Sequence, residues 1–263
     1  MNRNIGIFDS GVGGLTVLKQ LFDNFPDQRF LYYGDSGRAP YGNRSKEDLL
    51  LFNKQIISFL LEQKIKLLIM ACNTSCALVL DDIAQMVDIP IIDLINPTVK
   101  IAAAKTMNKR IVVLATSQTV ASHAYQKKLL QVNKVLQVLE IACPELVPIV
   151  ENGLINQPET IEIVKFYLQK IIEFNADTII YGCSHYPYFE QIIKHLDQKH
   201  NIVNYIDPAK CIIPEVKKYL DLIPSNNKGR MEFWVSGEVS KFESFINNYL
   251  QWSNLHLNKH SFS

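Results

Sequence analysis

The sequence predicts an α/β protein of two similar domains, each with a mostly parallel sheet. Three observations carry that expectation. Apolar runs alternate with segments of helical spacing along almost the whole chain. The runs, roughly four to six residues long, are apolar throughout, the pattern of strands covered on both faces. One module occurs twice. Leu67-Leu68-Ile69-Met70-Ala71-Cys72-Asn73-Thr74 and Thr178-Ile179-Ile180-Tyr181-Gly182-Cys183-Ser184-His185 each pass from strand to small residue to thiol, then to hydroxyl- or amide-bearing residues.

Taken in order, strands are expected at Asn4–Asp9, Arg29–Gly34, Lys66–Ala71, Pro90–Ile95, Arg110–Ala115, Val135–Ala142, Asp177–Gly182, Ile202–Ile206 and Met231–Ser236. After Ser45, residues Leu49, Phe52, Ile56, Phe59 and Leu60 share one helical face, and Ser45 and Asp48 have capping-box spacing. Glu159–Phe174 reads as a second helix, entered by Pro158, with Ile163, Phe166, Tyr167 and Ile171 on its apolar stripe. No Ser/Gly-rich linker marks a boundary, so the repeated module guides the division. The chain is expected to cross over near Asn96-Pro97 and return near Asp207-Pro208. That gives a discontinuous first domain, 1–96 plus 208–263, and a second domain, 97–207.

Composition narrows the function. With 263 residues, 48% of them hydrophobic and 20% charged, the chain can form two modest cores. Lys plus Arg (27) against Asp plus Glu (26) leaves a net charge of +1, without a basic block, so nucleic acid is not the expected partner. No apolar run approaches the roughly 20 residues needed to span a bilayer. The first residues lack the features of an export signal, and a cytoplasmic location is expected. The five cysteines are then free thiols. Cys72-x3-Cys76 has no matching pair downstream, which argues against a structural zinc site.

The candidate chemistry lies at strand ends, where open α/β sheets hold ligands. Cys72 and Cys183, presented alike from two related halves, could face one small molecule from opposite sides, removing a proton from one face of a carbon and returning it to the other. A helix N-terminus after each would lower the thiol pKa. His185 can hydrogen-bond Cys183 or a substrate, and Asn73, Thr74 and Ser184 add donors suited to a carboxylate. Asp9-Ser10-Gly11-Val12-Gly13-Gly14 ends the first strand. Its glycines allow close backbone approach to a ligand, and Asp9 is well placed for chemistry, or else for capping. Thr16 stands where a dinucleotide fingerprint needs glycine, and no P-loop lysine follows. Asp35 through Pro40-Tyr41-Gly42 is a loop that can wall a site. Thr116 and Thr119 open a helix and serve as caps or ligand contacts. Glu151 either reaches the cleft or is a solvated helix carboxylate. Cys76, Cys143 and Cys211 lack comparable surroundings and read as core or surface thiols.

These motifs resemble those of the aspartate/glutamate racemase superfamily. Ile5 through Leu15 is similar to its opening signature. Tyr33-Gly34-Asp35 through Pro40-Tyr41-Gly42, Ala71-Cys72-Asn73-Thr74 and Gly182-Cys183-Ser184-His185-Tyr186-Pro187 are similar to its other signatures. Thr116, Thr119, Ser122, Tyr125, Val147-Pro148 to Glu151, and Phe233 to Phe242 extend the match in order over almost the whole chain. Ser184 departs from it, standing where the family usually has threonine. The resemblance implies a two-domain enzyme with its active site in the cleft between the domains. It would interconvert L- and D-glutamate without PLP, metal or other cofactor and supply D-glutamate to peptidoglycan precursors. By matching position, Cys72 and Cys183 are the acid/base thiols, assisted by Asp9 and His185 respectively. Ser10, Pro40, Tyr41, Gly42, Asn73, Thr74 and Ser184 would hold the substrate, with Thr116 and Thr119 nearby. A homodimer is also an expectation from the resemblance. An aspartate or other acidic amino-acid racemase, and a non-catalytic regulatory binding protein, remain alternatives.

Overall fold

The computed structural model describes residues 4–197, 202–221, 229–252 and 255–262. In chain order the elements are β1 (Asn4–Asp9), α1 (Leu15–Asn24), β2 (Arg29–Gly34), α2 (Lys46–Glu62), β3 (Ile65–Met70), α3 (Asn73–Ala84), β4 (Ile91–Asp93) and α4 (Ile95–Lys105). Then come β5 (Arg110–Ala115), α5 (Ser117–Ser122), α6 (Ala124–Val132), β6 (Gln137–Ala142), α7 (Leu146–Glu151), α8 (Pro158–Glu173), β7 (Thr178–Gly182), α9 (Glu190–Leu196) and β8 (Asn204–Ile206). The chain closes with α10 (Pro208–Cys211), α11 (Ile213–Asp221), β9 (Arg230–Val235), α12 (Val239–Leu250) and β10 (Leu257–Lys259).

Among the described residues the strands form two sheets, and every pairing is parallel. One has the order β10-β9-β2-β1-β3-β4, the other β6-β5-β7-β8. Within these, β2-β1-β3-β4 and β6-β5-β7-β8 are the same arrangement. In each, the chain moves outward from the first strand to one side and then returns to build the other side. The reversal leaves a crevice beyond the carboxyl ends of the two central strands. In the first unit those strands are β1 and β3, in register at Phe8 and Met70; in the second they are β5 and β7, in register at Ala115 and Gly182. Asp9 and Cys72 therefore stand at one reversal, and Thr116 and Cys183 at the other.

Local chemistry explains most element ends. Ser45 caps α2 by accepting a hydrogen bond from the Asp48 N–H (3.1 Å). Leu49, Ile56 and Leu60 of that helix are fully buried, each worth about 1.5–3 kcal/mol of apolar transfer. Pro158 occupies the first turn of α8, where a missing N–H costs nothing. The expected strand Pro90–Ile95 shrinks to Ile91–Asp93 because the Asp93 carboxylate accepts from the N–H groups of Ile95 (2.8 Å) and Asn96 (2.9 Å) and starts α4 there. Asn96-Pro97 is thus the first turn of a helix, not an interruption. The stripe expected on α8 is also corrected. Phe166 is 57% exposed, with the Lys170 ammonium 4.4 Å from its ring centre, while Val164, Tyr167, Leu168 and Ile171 face the core. β10 escapes sequence reasoning because Leu257-Asn258-Lys259 carries no apolar run; it is a strand only by pairing with β9.

Candidate active site

Asp9, the last residue of β1, is completely buried. One carboxylate oxygen accepts from the Gly11 N–H (3.0 Å) and the other from the Ser184 hydroxyl (2.9 Å), which comes from the second sheet. Burial pushes the Asp9 pKa up, against the His185 charge and these hydrogen bonds. The glycine turn after it brings the two units together. A Cβ on Gly11 would lie 2.1 Å from Glu151 Oε1, and one on Gly13 would lie 2.3 Å from His185 Nδ1. What the backbone approaches here is the other half of the protein.

Cys72 caps α3 and is 3% exposed. The helix N-terminus does not lower its pKa as its position suggested. Burial, then the nearby Asp9 charge, push the thiol up to about 12, outweighing hydrogen bonding from Ser75. Cys183 follows β7 and is 5% exposed. No α-helix starts directly behind it; residues Tyr186–Phe189 form a 3-10 turn before α9. His185 supplies the local charge instead. Its Nδ1 is 3.7 Å from Cys183 Sγ, and its Nε2 is 2.7 Å from Glu151 Oε1. Burial would lower the His185 pKa, but hydrogen bonds and charge from Cys183 and Glu151 raise it well above the ordinary value. The imidazolium therefore donates to Glu151 through Nε2 and presents Nδ1–H to the thiol.

Glu151 is not a solvated helix carboxylate. It ends α7, accepts from the Val12 N–H (3.1 Å) as well as from His185, and is held below the usual carboxylate range although burial opposes this. Unit one thus touches Glu151 and Ser184 of unit two through Val12 and Asp9. Thr16 adds a hydrogen bond from its hydroxyl to the Ser184 carbonyl (3.1 Å).

A second polar group lies at the start of α3. Tyr125 of α6 donates to Asn73 Oδ1 (2.5 Å), while the buried Asn73 Nδ2 has no hydrogen-bond partner. The hydroxyls of Thr74 and Thr116 are 2.9 Å apart, and Thr119 joins them 3.0 Å from Thr116. Thr116 also caps α5, so capping and cluster formation use the same side chain. Gly42 packs so closely that a Cβ there would lie 2.9 Å from Thr116 Cβ. Tyr41 is buried and donates its hydroxyl to Asp35. Ser10 is buried beside Asp9, whereas Pro40 is exposed at the rim.

The structure thus draws Asp9, Cys72, Cys183, Ser184, His185 and Glu151 into one linked group, with Asn73, Thr74, Thr116 and Thr119 in another. Cavities of about 260 and 200 Å³ share Ser36, Glu151 and Lys241 in their walls, and Pro40 lines the second. Neither has Cys72 or Cys183 in its wall; both thiols are enclosed. Sequence reasoning passed over Tyr125 as a site residue and over Asp35 as anything but loop. Asp35 follows β2 as directly as Asp9 ends β1, and that parallel was the available signal. Cys76, Cys143 and Cys211 are all buried. Among the described residues no group of three or more His, Cys, Asp or Glu side chains could hold a metal ion, and no helix is long and apolar enough to cross a membrane.

The profile of the Asp/Glu/Hydantoin racemase family matches residues 14–216. The chain belongs to this family. A glutamate racemase from Thermoanaerobacter sp. is 41% identical over 91% of this chain and 90% of its own length. Among solved structures, the glutamate racemase isoform RacE1 from Bacillus anthracis superposes with a TM-score of 0.91 at 32% identity, covering 99% of this chain and 97% of its own. The Francisella tularensis glutamate racemase, solved in complex with D-glutamate, superposes with a TM-score of 0.89 at 32% identity, covering 99% and 98% of the two chains.

Proposed function

We propose that the protein is a glutamate racemase that exchanges the Cα proton between two thiols, Cys72 and Cys183, without PLP or metal. The observation that carries this reading is the pair of enclosed thiols at equivalent strand ends of two parallel sheets, each beside a different charge. The glutamate substrate follows the relatives' names.

The Cα proton of an amino acid is a very weak acid, so charge placement must stabilise the carbanion as it forms. Burial, then the nearby Asp9 charge, keep Cys72 protonated, as a proton donor must be. The His185 ring, held by Glu151, faces Cys183 with its Nδ1 3.7 Å from the sulfur. By resemblance to the family, Cys183 removes the L-glutamate proton, and the protonated Cys72 delivers one to the opposite face. In the reverse direction Cys72 must become the base, which the substrate ammonium assists by charge. Asn73, Thr74, Thr116, Thr119 and Ser184, with Ser10 and the Pro40-Tyr41-Gly42 loop, surround the substrate and supply donors to its carboxylates. The unpartnered Asn73 Nδ2 is a donor free for that use.

The wider reading places the active site in a cleft between two domains, 1–96 plus 208–263 and 97–207, whose division follows the two sheets. The protein acts in the cytoplasm as a homodimer and supplies D-glutamate for peptidoglycan. The test is incubation with L-glutamate or L-aspartate in EDTA, without PLP, followed by chiral separation. D-glutamate alone supports the reading; D-aspartate moves the substrate, and no product from either removes the activity. Cys72→Ser and Cys183→Ser should each suppress racemisation severely, and normal turnover by either would overturn the two-thiol mechanism.

A further inference from the structure

Residues 257–262 lie far from the thiols in sequence, yet they end against the loop that carries Tyr41. β10 adds to the edge of the six-stranded sheet, and the His260 N–H continues the pairing to the Val235 carbonyl (3.0 Å). The Tyr33 hydroxyl donates to the His260 carbonyl (2.8 Å), and the His260 ring centre lies 4.0 Å from that of Phe59. Phe262 then stacks on Tyr33, with ring centres 5.6 Å apart and planes at 29°.

Anchored in this way, Phe262 covers Arg38. The guanidinium carbon is 4.1 Å from the Phe52 ring centre and 5.1 Å from that of Phe262, within cation–π reach of both rings. Arg38 Nε donates to Asp35 (2.7 Å), and Nη1 donates to Gln55 (2.6 Å). Asp35 is fully buried and also accepts from Tyr41 and from the Ser236 hydroxyl (2.6 Å). A buried carboxylate needs a fixed cation, and an ion pair gains strength as water is kept away from it. Tyr41 belongs to the turn 41–43, which packs on α3 behind Cys72 and on α5 behind Thr116.

We propose that Phe262 is a positioning residue for substrate binding: with Phe52 it holds Arg38 on Asp35, which fixes Tyr41 and seats the 40–42 loop beside Thr116 and Asn73. This rests on the racemase reading above. The ring touches no reacting atom. It sets the fraction of molecules whose loop is ready to bind, and an apparent affinity falls in proportion to that fraction.

The test compares wild type with Phe262→Ala and Phe262→Tyr. KM for both glutamate enantiomers should rise about three- to tenfold in the alanine variant, the range a lost cation–π contact allows. Its kcat should change by less than about twofold, because the chemistry is untouched. Tyrosine should restore KM. In the absence of substrate, Cys72 should be alkylated by iodoacetamide faster in Phe262→Ala than in wild type, while Cys183 keeps its rate. Cooperative melting of each variant is the control for folding. If Phe262→Ala does not melt cooperatively, Phe262→Leu, which keeps apolar cover but no π face, carries the same expectation. An unchanged KM, an equal gain in alkylation of both thiols, or failure of tyrosine to rescue would overturn the proposal. A wild type that does not racemise glutamate sinks the activity reading instead, while the alkylation comparison still reports whether Phe262 seats the loop.

Discussion

Cys72 should behave as a thiol that is hard to ionise until substrate arrives. Burial and the Asp9 charge push it up to about 12, from an ordinary 9.0. At pH 8 about one Cys72 in ten thousand is then thiolate, against about one in ten for an ordinary thiol, a deficit of about a thousandfold. A more basic thiolate is also more nucleophilic, with a Brønsted slope of about 0.4–0.5, which recovers roughly 15- to 30-fold over the three-unit difference. The net expectation is alkylation of Cys72 about 30- to 60-fold slower at pH 8 than in the unfolded chain, before any steric shielding. Iodoacetamide labelling of the folded protein, quantified at Cys72 by peptide mass spectrometry, measures this from pH 7 to 10.5. Shielding lowers the whole profile, whereas a raised pKa keeps it climbing by about tenfold per pH unit beyond pH 9. Asp9→Asn removes one cause and should move the profile to lower pH. A plateau near pH 9 in wild type, or an unmoved profile in Asp9→Asn, would refute the electrostatic argument.

Three other perturbations follow from the contacts between the two units. Gly13→Ala places a methyl 2.3 Å from His185 Nδ1 and 2.5 Å from Ser184 Oγ, so these must shift. The expected cost is about 1–3 kcal/mol with a fall in kcat, checked by thermal melting and turnover; a fully active, equally stable variant contradicts it. Tyr125→Phe strips Asn73 Oδ1 of its hydrogen bond in a buried site, which should cost about 1–3 kcal/mol in urea unfolding and weaken substrate binding. An unmoved denaturation midpoint argues against that contact. Glu151→Gln should reduce stability in a pH-dependent way. Glu151, lowered in the folded state, contributes above its ordinary 4.5 and loses this as pH falls through its folded value. His185, raised, contributes fully below its ordinary 6.5 and loses this as pH rises through its folded value. The melting-temperature difference from wild type should therefore be largest between pH 4.5 and 6.5 and shrink on both sides. A difference independent of pH would discard the ion pair.

Features written in neighbouring residues were legible in the chain itself. Apolar runs placed β1, β2 and β5 at their observed limits, and the Ser45 cap set the start of α2. The repeated module put Cys72 and Cys183 at strand ends, because the residue after a buried strand must emerge at the rim of the sheet. Glycines 11 and 13 announced a close approach, expected to a ligand and made instead to Glu151 and His185. The weaker readings failed where two local signals competed, as at Asp93, whose carboxylate starts a helix inside an expected strand, and at Phe166, whose ring meets a lysine instead of the core. His185 beside Cys183 was legible from the sequence, but most of what else sets charge at the site needed the folded chain. Asp9 meets Ser184, Val12 meets Glu151, Tyr125 meets Asn73, and Phe262 reaches Arg38, over separations that no spacing rule spans. Helix position alone argued for an acidic Cys72, but burial and Asp9 reverse the sign. Desolvation depends on everything packed around a group, and only the tertiary structure decides what that is.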